Sequence, residues 1–461
     1  MKIYLVSLGC DKNLVDAEFM LGRLDANGHE IINEPETADV IIVNTCGFIG
    51  DATRESIQTV LEMAEYKISG SCKQLIVAGC MATRYKEDIR RELPEVDAVL
   101  GTSESKKLSE IISDSRKSES LSESGAESEK SANIRRVLST HTGFAYLKIA
   151  DGCDNHCTYC TIPSIKGAYK SRSIDSLEEE ARSLAEQGVK ELILVAQDTA
   201  CYGKDWGEPC LPELLRRLSN IEEILWLRIM YAYPENITPE IINEIERNPK
   251  VCHYIDMPIQ HASNRILKLM RRRSDEEDLR ELINKLRERM PDIALRTTLI
   301  SGFPGESKQD FDILKKFVAD MQFDRLGVFV YSREDGTSAA NMPNQVPDKI
   351  KRARKDAILR LQRGISLERN KSFIGKTLNV LVEGRIEKDL IQEDDLIQED
   401  DLIQEEEPVE KDFIYCGRSY RDSNEVDGLI FFHSDNEIIS GTFVNIKITK
   451  ARDYDLFGEL R

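Results

Sequence analysis

The chain has 461 residues, of which 41% are hydrophobic, 31% are charged and 11 are cysteines, and its formal net charge is −19. This length suits about three domains, and no apolar run approaches the 18 residues of a membrane span. The acidic balance argues against a broad nucleic-acid surface, which requires clustered Lys and Arg. Because residues 1–6 lead directly into a predicted strand, no secretory signal is expected, and we predict a cytoplasmic protein whose cysteines bind cofactors.

Residues 1–102 predict an α/β domain built on a parallel sheet. Three apolar runs, at 3–8, 40–43 and 74–78, each precede a helical pattern, at 14–27, 52–66 and 84–92. Short buried strands that alternate with helices are typical of such a sheet.

A cysteine follows each of these strands, namely Cys10, Cys46 and Cys80. In parallel α/β sheets ligands bind at the carboxyl ends of the strands, so these distant cysteines are expected to meet at one edge. We interpret them as three thiolate ligands of a cluster. The alternative is that they are free cysteines packed in the core. Cys72 is interpreted either as such a core cysteine or as a surface thiol.

Residues 103–140 are rich in Ser, Glu and Lys and contain no aromatic residue. Such a composition buries too little apolar surface to order itself. We therefore predict a disordered, solvated tether between two domains.

Three further cysteines, Cys153, Cys157 and Cys160, lie in one loop at 151–167, directly after a predicted strand at 144–150. A zinc finger requires four ligands, whereas three thiolates suit an iron–sulfur cluster with one iron left open. Unrelated buried thiols and half of a zinc site are the alternatives. The loop resembles the signature of radical S-adenosylmethionine (SAM) enzymes, in which the open iron binds the methionyl amino and carboxyl groups.

Strands and helices continue to alternate between residues 141 and 370. Five more predicted strands make six βα units, and the resemblance implies the partial (βα)6 barrel of radical SAM enzymes, with its site at the C-terminal ends of the strands. A charged helical pattern at 346–369 connects this barrel to the last domain. The predicted strands lie at 191–195, 225–230, 253–257, 294–300 and 325–330.

Two strand ends carry residues suited to SAM. Gln197 and Asp198 follow the second strand and are interpreted either as acceptors for the methionyl amino group or as turn residues. Ile300, Gly302 and Glu306 follow the fifth strand in a run that resembles the element packing beside adenine, and a plain turn is the alternative.

The triplet 271–273, three arginines, predicts a solvated helix end, with partner docking as the alternative. Four cysteines match no cluster spacing and receive no role, namely Cys201, Cys210, Cys252 and Cys416.

Residues 371–461 predict a small antiparallel β-barrel from short alternating runs, and they resemble the TRAM module. An acidic six-residue repeat at 387–410 predicts a disordered insertion without an assigned function. Residues 371–461 hold 11 Lys or Arg and 22 Asp or Glu, and the repeat region accounts for the whole excess. The remainder is neutral, whereas a TRAM module that binds tRNA is expected to be basic.

The segments 7–16 and 44–49 resemble the N-terminal domain of methylthiotransferases, and specifically of the RimO type. The tRNA-modifying MiaB relatives carry Gln-Met-Asn where this chain has Asp11, Lys12 and Asn13, and RimO proteins usually carry Pro at the position of Asp11. The resemblance implies SAM and two 4Fe–4S clusters, the first on Cys10, Cys46 and Cys80 and the second, which binds SAM, on Cys153, Cys157 and Cys160.

The resemblance also implies a reaction. A methylthio group replaces a hydrogen on the β-carbon of an aspartate in ribosomal protein S-twelve of the small subunit, and a flavodoxin-type protein is the expected electron donor. That carbon is not activated, so a general base cannot deprotonate it at useful cost and a radical cofactor is required. Two alternatives remain, a tRNA adenosine methylthiotransferase and a non-catalytic iron–sulfur protein.

Overall fold

The computed structural model describes residues 1–104, 107–113, 136–140, 143–386 and 413–461. These residues form a five-stranded parallel sheet, a six-stranded parallel sheet and a closed five-stranded barrel, in chain order. The predicted fold class, an N-terminal parallel α/β domain followed by a partial (βα)6 barrel and a small β-barrel, is confirmed. Within these ranges, no helix is long and apolar enough to cross a membrane.

The N-terminal sheet has the order β2-β1-β3-β4-β5, and every neighbouring pair is parallel. Its strands are β1 (Lys2–Ser7), β2 (Glu30–Ile31), β3 (Val40–Thr45), β4 (Gln74–Gly79) and β5 (Ala98–Gly101). The helices are α1 (Asp11–Ala26), α2 (Gly50–Ala64), α3 (Tyr66–Ser69), α4 (Cys80–Arg84), α5 (Lys86–Glu92) and α6 (Leu108–Ser113). The two edge strands, β2 and β5, were not predicted, because each is too short to show a distinct apolar run.

The six parallel strands of the central sheet are β6 (Phe144–Lys148), β9 (Glu191–Val195), β10 (Trp226–Ile229), β11 (Val251–Asp256), β12 (Ala294–Ser301) and β13 (Arg325–Val330). A two-stranded pair, β7 (Ala150–Asp151) and β8 (Lys170–Ser171), encloses the second cysteine loop. The helices are α7 (Ile162–Lys166), α8 (Ile174–Glu186), α9 (Leu211–Ser219), α10 (Pro239–Arg247), α11 (Asn264–Leu269), α12 (Glu276–Arg289) and α13 (Lys308–Met321).

Strand β9 shows why these segments form a curved parallel sheet. All five of its residues are buried, as expected for a strand covered on both faces. Leu192 and Leu194 pack under the outer helices, whereas Ile193 and Val195 lie in an inner cluster with Trp226. Alternation along the strand therefore separates an outer core from the inner face.

The C-terminal barrel follows the helix α14 (Asp348–Lys371). Its strands are β14 (Thr377–Ile386), β15 (Phe413–Arg418), β16 (Ile430–Ser434), β17 (Phe443–Ala451) and β18 (Leu456–Leu460), in the order β14-β15-β16-β18-β17. Every pairing is antiparallel except β16 with β18, which is parallel. The barrel is thus closed by one parallel pair, which the alternating sequence pattern did not reveal.

Buried ion pairs attach this barrel to the central sheet. The guanidinium groups of Arg228 and Arg418 both bind Glu191, at 2.6 and 2.9 Å, and the carboxylate is fully buried. Arg325 of the sheet pairs with Asp422 of the barrel. Removing one member of such a set leaves a buried charge without its partner, which costs about 3–5 kcal/mol.

Part of the predicted tether is packed rather than solvated. Leu108 and Ile112 of α6 are buried in the same cluster as Val40, and Arg136 is buried with its guanidinium 2.9 Å from Glu18 and 2.6 Å from Glu180. The two ends of the segment therefore attach to the N-terminal and central sheets. The rest of the tether and the acidic repeat at 387–410 lie outside the described residues.

Candidate active site

The structure brings the three N-terminal cysteines to one edge of their sheet. Cys46 and Cys80 directly follow β3 and β4, and Cys10 lies shortly after β1, which is adjacent to β3 in the sheet. Gly9, with a φ of +94°, makes this possible, since a Cβ at that position would lie only 2.7 Å from the Cβ of Cys46. The thiols of Cys10 and Cys46 are near enough to Cys80 to act on its ionisation.

Burial changes the ionisation of two of these thiols. Burial, opposed by Lys166 and reinforced by the other two cysteines, raises the pKa of Cys80 to about 12. Burial also raises the pKa of Cys46. The neutral thiols of Cys46 and Cys80 are therefore favoured when no cation is bound, and a metal that binds their thiolates displaces the protons.

Side chains of the same motifs hold the cysteine loops in place. The amide of Asn13 donates to the carbonyl of Leu8 at 2.6 Å, and the amide of Asn44 donates to the carbonyl of Asn13 at 2.8 Å. The hydroxyl of Ser56 accepts from the backbone of Cys46 at 3.0 Å and donates to its carbonyl at 2.9 Å. The motif residues thus fix the backbone that carries the thiols.

The second set of cysteines lies in the loop between β7 and α7, next to the C-terminal ends of the central strands. Burial is the main reason that the pKa of Cys153 is raised to about 11 and that of Cys160 to about 12, and the neighbouring Cys157 raises both further. Thr158, inside the loop, accepts from the backbone of Ala339 at 2.8 Å. The three thiols therefore share one small, largely buried region.

A tyrosine packs against Cys157, and an arginine packs against that tyrosine. The hydroxyl of Tyr233 contacts its Sγ atom, and the guanidinium carbon of Arg272 lies 3.5 Å from the centre of the Tyr233 ring. Arg272 is buried, so the prediction that all three arginines at 271–273 form a solvated helix end is wrong for this residue. Arg272 is buried because a neighbouring loop supplies both the ring of Tyr233 and an ion-pair partner, Glu235. The local sequence around 271–273 gives no sign of these contacts.

Gln197 has one unsatisfied polar atom. Its side-chain nitrogen donates to Asp151 at 3.2 Å, whereas its buried Oε1 has no hydrogen-bond partner among the described residues. This oxygen is therefore free to accept a hydrogen bond from a ligand. An ammonium group, such as that of a methionyl moiety, matches it.

The carboxylate of Asp198, by contrast, is completely buried and fully engaged. Its oxygens accept from the side chains of Asn155 at 2.9 Å and Asn236 at 2.7 Å, and from the backbone of Tyr233 at 3.2 Å. Asn155 lies between the first two cysteines of the loop. In this structure Asp198 therefore positions the cysteine loop.

The residues at the end of β12 and just after it also differ in their roles. Ile300 lies in an apolar cluster with Phe303 and Tyr331. Glu306 accepts from the backbone of Gly302 at 2.6 Å and pairs with Arg354 of α14 at 2.7 Å. Gly302 has a φ of +73°, and a Cβ there would collide with the side chain of Lys351 in α14. Gly302 and Glu306 thus shape the loop against α14.

The two cysteine sites adjoin across the contact between the domains. Thr161, which follows Cys160, donates from its hydroxyl to the carbonyl of Phe48, two residues after Cys46, at 3.2 Å. Lys166 bridges Asp16 of the N-terminal domain at 2.9 Å and Asp151 of the second loop at 3.3 Å. These contacts join the two cysteine-bearing loops at one interface between the domains.

In the part of the chain that the structure describes, no three His, Cys, Asp or Glu side chains are placed to hold a single metal ion. A 4Fe–4S cluster makes a different demand, because each thiolate binds its own iron. Two convergent cysteine triads and the orphan acceptor of Gln197 fit such clusters with a SAM molecule beside one of them.

Comparisons with known proteins agree with this geometry. The family model described as "Uncharacterized protein family UPF0004" matches residues 2–101, "Radical SAM superfamily" matches 147–318 and "TRAM domain" matches 398–460. Among solved structures, the radical SAM methyltransferase TsrM from Kitasatospora setae has a TM-score of 0.53 at 13% identity, covering 85% of this chain and 80% of its own. That likeness shows the fold alone.

Curated relatives match over the full length. "Ribosomal protein uS12 methylthiotransferase RimO" of Lachnoclostridium phytofermentans is 50% identical and covers 99% of both chains. The protein of the same name from Acetivibrio thermocellus is 47% identical, covering 100% of this chain and 98% of its own. The radical SAM family implies SAM and a 4Fe–4S cluster as cofactors. The chain belongs to the RimO-type radical SAM methylthiotransferases.

Proposed function

We propose that this enzyme transfers a methylthio group to the β-carbon of an aspartate in ribosomal protein S-twelve, the substrate named for its curated relatives. The observation that carries the proposal is the junction of the two cysteine sites, at which Thr161 beside Cys160 bonds to Phe48 beside Cys46. Sulfur insertion requires a radical source and a sulfur source that act on one carbon, and this junction gives both triads access to the same space.

In this proposal Cys153, Cys157 and Cys160 hold the cluster that binds SAM, and Cys10, Cys46 and Cys80 hold a second 4Fe–4S cluster. When bound, these groups and SAM supply the radical that removes the substrate hydrogen and the methylated sulfur that replaces it. The chain's own task is to bind and orient the substrate and to exclude water and oxygen. In this proposal the domain at 1–102 carries the second cluster, the domain at 141–370 carries the cluster that binds SAM, and residues 103–140 link them.

The roles of the remaining site residues follow from their contacts. Gln197 offers its free Oε1 to the methionyl ammonium, and Ile300 offers an apolar surface to adenine. Asp198 holds Asn155 and hence the cysteine loop. Gly302 and Glu306 fix the backbone below Ile300. Tyr233 and Arg272 support Cys157 from behind.

The C-terminal barrel supports a protein substrate over tRNA. Outside the acidic repeat, residues 371–386 and 413–461 carry nine Lys or Arg and nine Asp or Glu. Two of these arginines, Arg418 and Arg421, are buried in ion pairs with Glu191 and Asp324. A surface without a positive excess provides little of the counterion release that drives nucleic-acid binding. A flavodoxin-type reductant and a cytoplasmic location stay predictions.

The test is mass spectrometry of ribosomal protein S-twelve from cells with and without this gene, supported by anaerobic reaction of the loaded enzyme with the protein. We expect a methylthio group on one aspartate, found only when the gene is present. Purified tRNA serves as the second substrate. A methylthio adenosine in tRNA, with none in the ribosomal protein, would contradict the proposal.

A further inference from the structure

A buried ammonium, a phenol and a carboxylate meet beside Cys10. The Nζ atom of Lys12 lies 3.1 Å from Oδ1 of Asp11 and 3.3 Å from the centre of the Tyr231 ring. The hydroxyl of Tyr231 donates to the same Asp11 oxygen at 3.3 Å. Lys12 is only 9% exposed, and the thiol of Cys10 is close enough to interact with both Lys12 and Tyr231.

The position of Tyr231 is tightly fixed. Its φ of 57° lies in the left-handed region that aromatic residues rarely adopt. Its backbone nitrogen donates to Asp256 at 3.2 Å, and Asp256 is itself held by Arg296 at 2.8 Å. Strained backbone maintained in this way is concentrated at functional sites.

Tyr231 also connects the two halves of the site. Two residues further along the chain, Tyr233 contacts Cys157. In the short segment 231–233, Tyr231 therefore lies near Cys10 of the N-terminal set, and Tyr233 contacts Cys157 of the loop set. A group bound at Lys12 and Tyr231 is held between the two sets of thiols.

Lys12 differs from the other buried lysines of this junction. Lys148 and Lys166 each bridge Asp16 and Asp151, so their charges are used to join the domains. Among the described residues, Lys12 pairs only with Asp11, its neighbour in sequence. An ammonium group has three donors, which leaves Lys12 able to bind a second carboxylate or to exchange one for another.

We propose that Lys12 and Tyr231 bind the side-chain carboxylate of the substrate aspartate, and that Asp11 occupies this position in the free enzyme. The inference rests on the proposed function, since that reaction modifies the carbon one bond away from this carboxylate. Charge-assisted hydrogen bonds in a buried site are strong and directional. Holding the carboxylate between the two cysteine sets therefore orients the β-carbon toward both.

The carboxylate of SAM offers the same chemistry, so the test measures both ligands. Two peptides carry either the target aspartate or asparagine at that position, and their binding to cluster-loaded enzyme is measured by fluorescence anisotropy. The enzymes compared are the wild type, Lys12→Gln, Tyr231→Phe and Asp11→Asn. Lys73→Gln is the matched control, because Lys73 pairs with Asp39 at 2.7 Å on the exposed surface of the same domain.

We expect the wild type to bind the aspartate peptide about 30-fold more tightly than the asparagine peptide, as for a buried charge pair. Lys12→Gln should reduce this ratio to near one, and Tyr231→Phe should reduce it by less. Asp11→Asn should tighten binding of the aspartate peptide, because the internal competitor is removed. SAM binding and the Lys73→Gln ratio should equal those of the wild type.

An unchanged peptide ratio in Lys12→Gln would overturn the inference. Loss of SAM binding with the ratio retained would instead assign Lys12 to the methionyl carboxylate, and also overturns it. If Lys12→Gln does not fold, weaker binding of the aspartate peptide by Asp11→Asn contradicts the inference on its own. Failure of the wild type to modify the aspartate peptide would count against the proposed function, whereas modification with an unchanged ratio counts against this inference alone.

Discussion

The two cysteine sites of this enzyme are built in opposite ways. Cys153, Cys157 and Cys160 lie within eight consecutive residues of one loop, whereas Cys10, Cys46 and Cys80 come from three strands spread over more than seventy residues. The first site is a local structure braced by Asp198 and Tyr233 of the neighbouring loops. The other exists only because β1, β3 and β4 are adjacent in the sheet.

This difference explains how each site depends on the rest of the fold. The loop site is held from within its own barrel, through Asn155 to Asp198 and through Thr158 to Ala339. The strand-end site needs the N-terminal sheet, and it meets substrate only when that sheet is docked on the barrel. Loss of docking should therefore separate radical formation from sulfur insertion.

The largest expected effect comes from removing cysteines. Replacing Cys153, Cys157 and Cys160 by Ala should abolish both 5′-deoxyadenosine and methylthio product, because SAM loses its cluster. Replacing Cys10, Cys46 and Cys80 by Ala should abolish the product but leave 5′-deoxyadenosine measurable. Chromatography of the small molecules and mass spectrometry of the protein substrate measure the two outcomes.

Iron content provides the control for these variants. The wild type should bind about eight irons per chain after anaerobic reconstitution, and each triple variant about four, if both clusters are 4Fe–4S. Replacement of Cys72, which is buried just before the start of β4 and so lies at the opposite end of that strand from Cys80, should leave iron content unchanged. Four irons in the wild type would contradict the strand-end cluster.

A smaller effect is expected where the N-terminal sheet docks. Glu334 pairs with Arg84 at 2.8 Å and accepts from the backbone of Gly50 at 2.7 Å, and both charged side chains are nearly buried. Glu334→Ala leaves Arg84 without its carboxylate and should lower the free energy of unfolding by about 3–5 kcal/mol. The ratio of methylthio product to 5′-deoxyadenosine should fall, because docking weakens while the loop site is preserved.

An exposed ion pair of the same domain is the matched control. Arg54 and Asp51 are 77% and 80% exposed, and such pairs contribute about 0–1 kcal/mol. Asp51→Ala should therefore change neither the denaturant midpoint nor the product ratio appreciably. Equal behaviour of Asp51→Ala and Glu334→Ala would show that the contact through Glu334 does not couple the sites.

The contrast between the sites also shows what the sequence could predict. The bounds of Glu191–Val195 and Arg325–Val330 agree with the predicted strands, because each run begins at a charged residue and then becomes mainly apolar. The loop cysteines were found by spacing, and the strand-end cysteines by the general placement of ligands in parallel sheets. Local patterns and one topological rule are therefore enough to identify both sets of cysteines.

Local patterns do not predict the contacts of side chains that are surrounded by segments distant in sequence. Arg272 reads as one of three solvated arginines, yet it is buried on Tyr233. Asp198 is a residue type that often binds ligands, yet its carboxylate accepts hydrogen bonds from Asn155 and Asn236. In the sequence Lys12 differs from the residue of the tRNA-modifying relatives but gives no sign of its contact with Tyr231, which lies more than two hundred positions away. These roles depend on packing between segments that are distant in sequence, within the central domain for Arg272 and Asp198 and between domains for Lys12.

The smallest expected effect concerns Gln197, which belongs to the loop site alone. Gln197→Leu keeps the size of the side chain but removes the acceptor assigned to the methionyl ammonium. Loss of one hydrogen bond of about 1 kcal/mol should raise the dissociation constant of SAM about fivefold, as measured by equilibrium binding to the cluster-loaded enzyme. Asp151 remains bound to Lys148 and Lys166, so the loop should keep its conformation. Gln187→Leu is the control, since among the described residues its side-chain amide donates only to the carbonyl of Ser183, one turn earlier at the end of α8. Unchanged SAM affinity in both variants would remove Gln197 from the binding site.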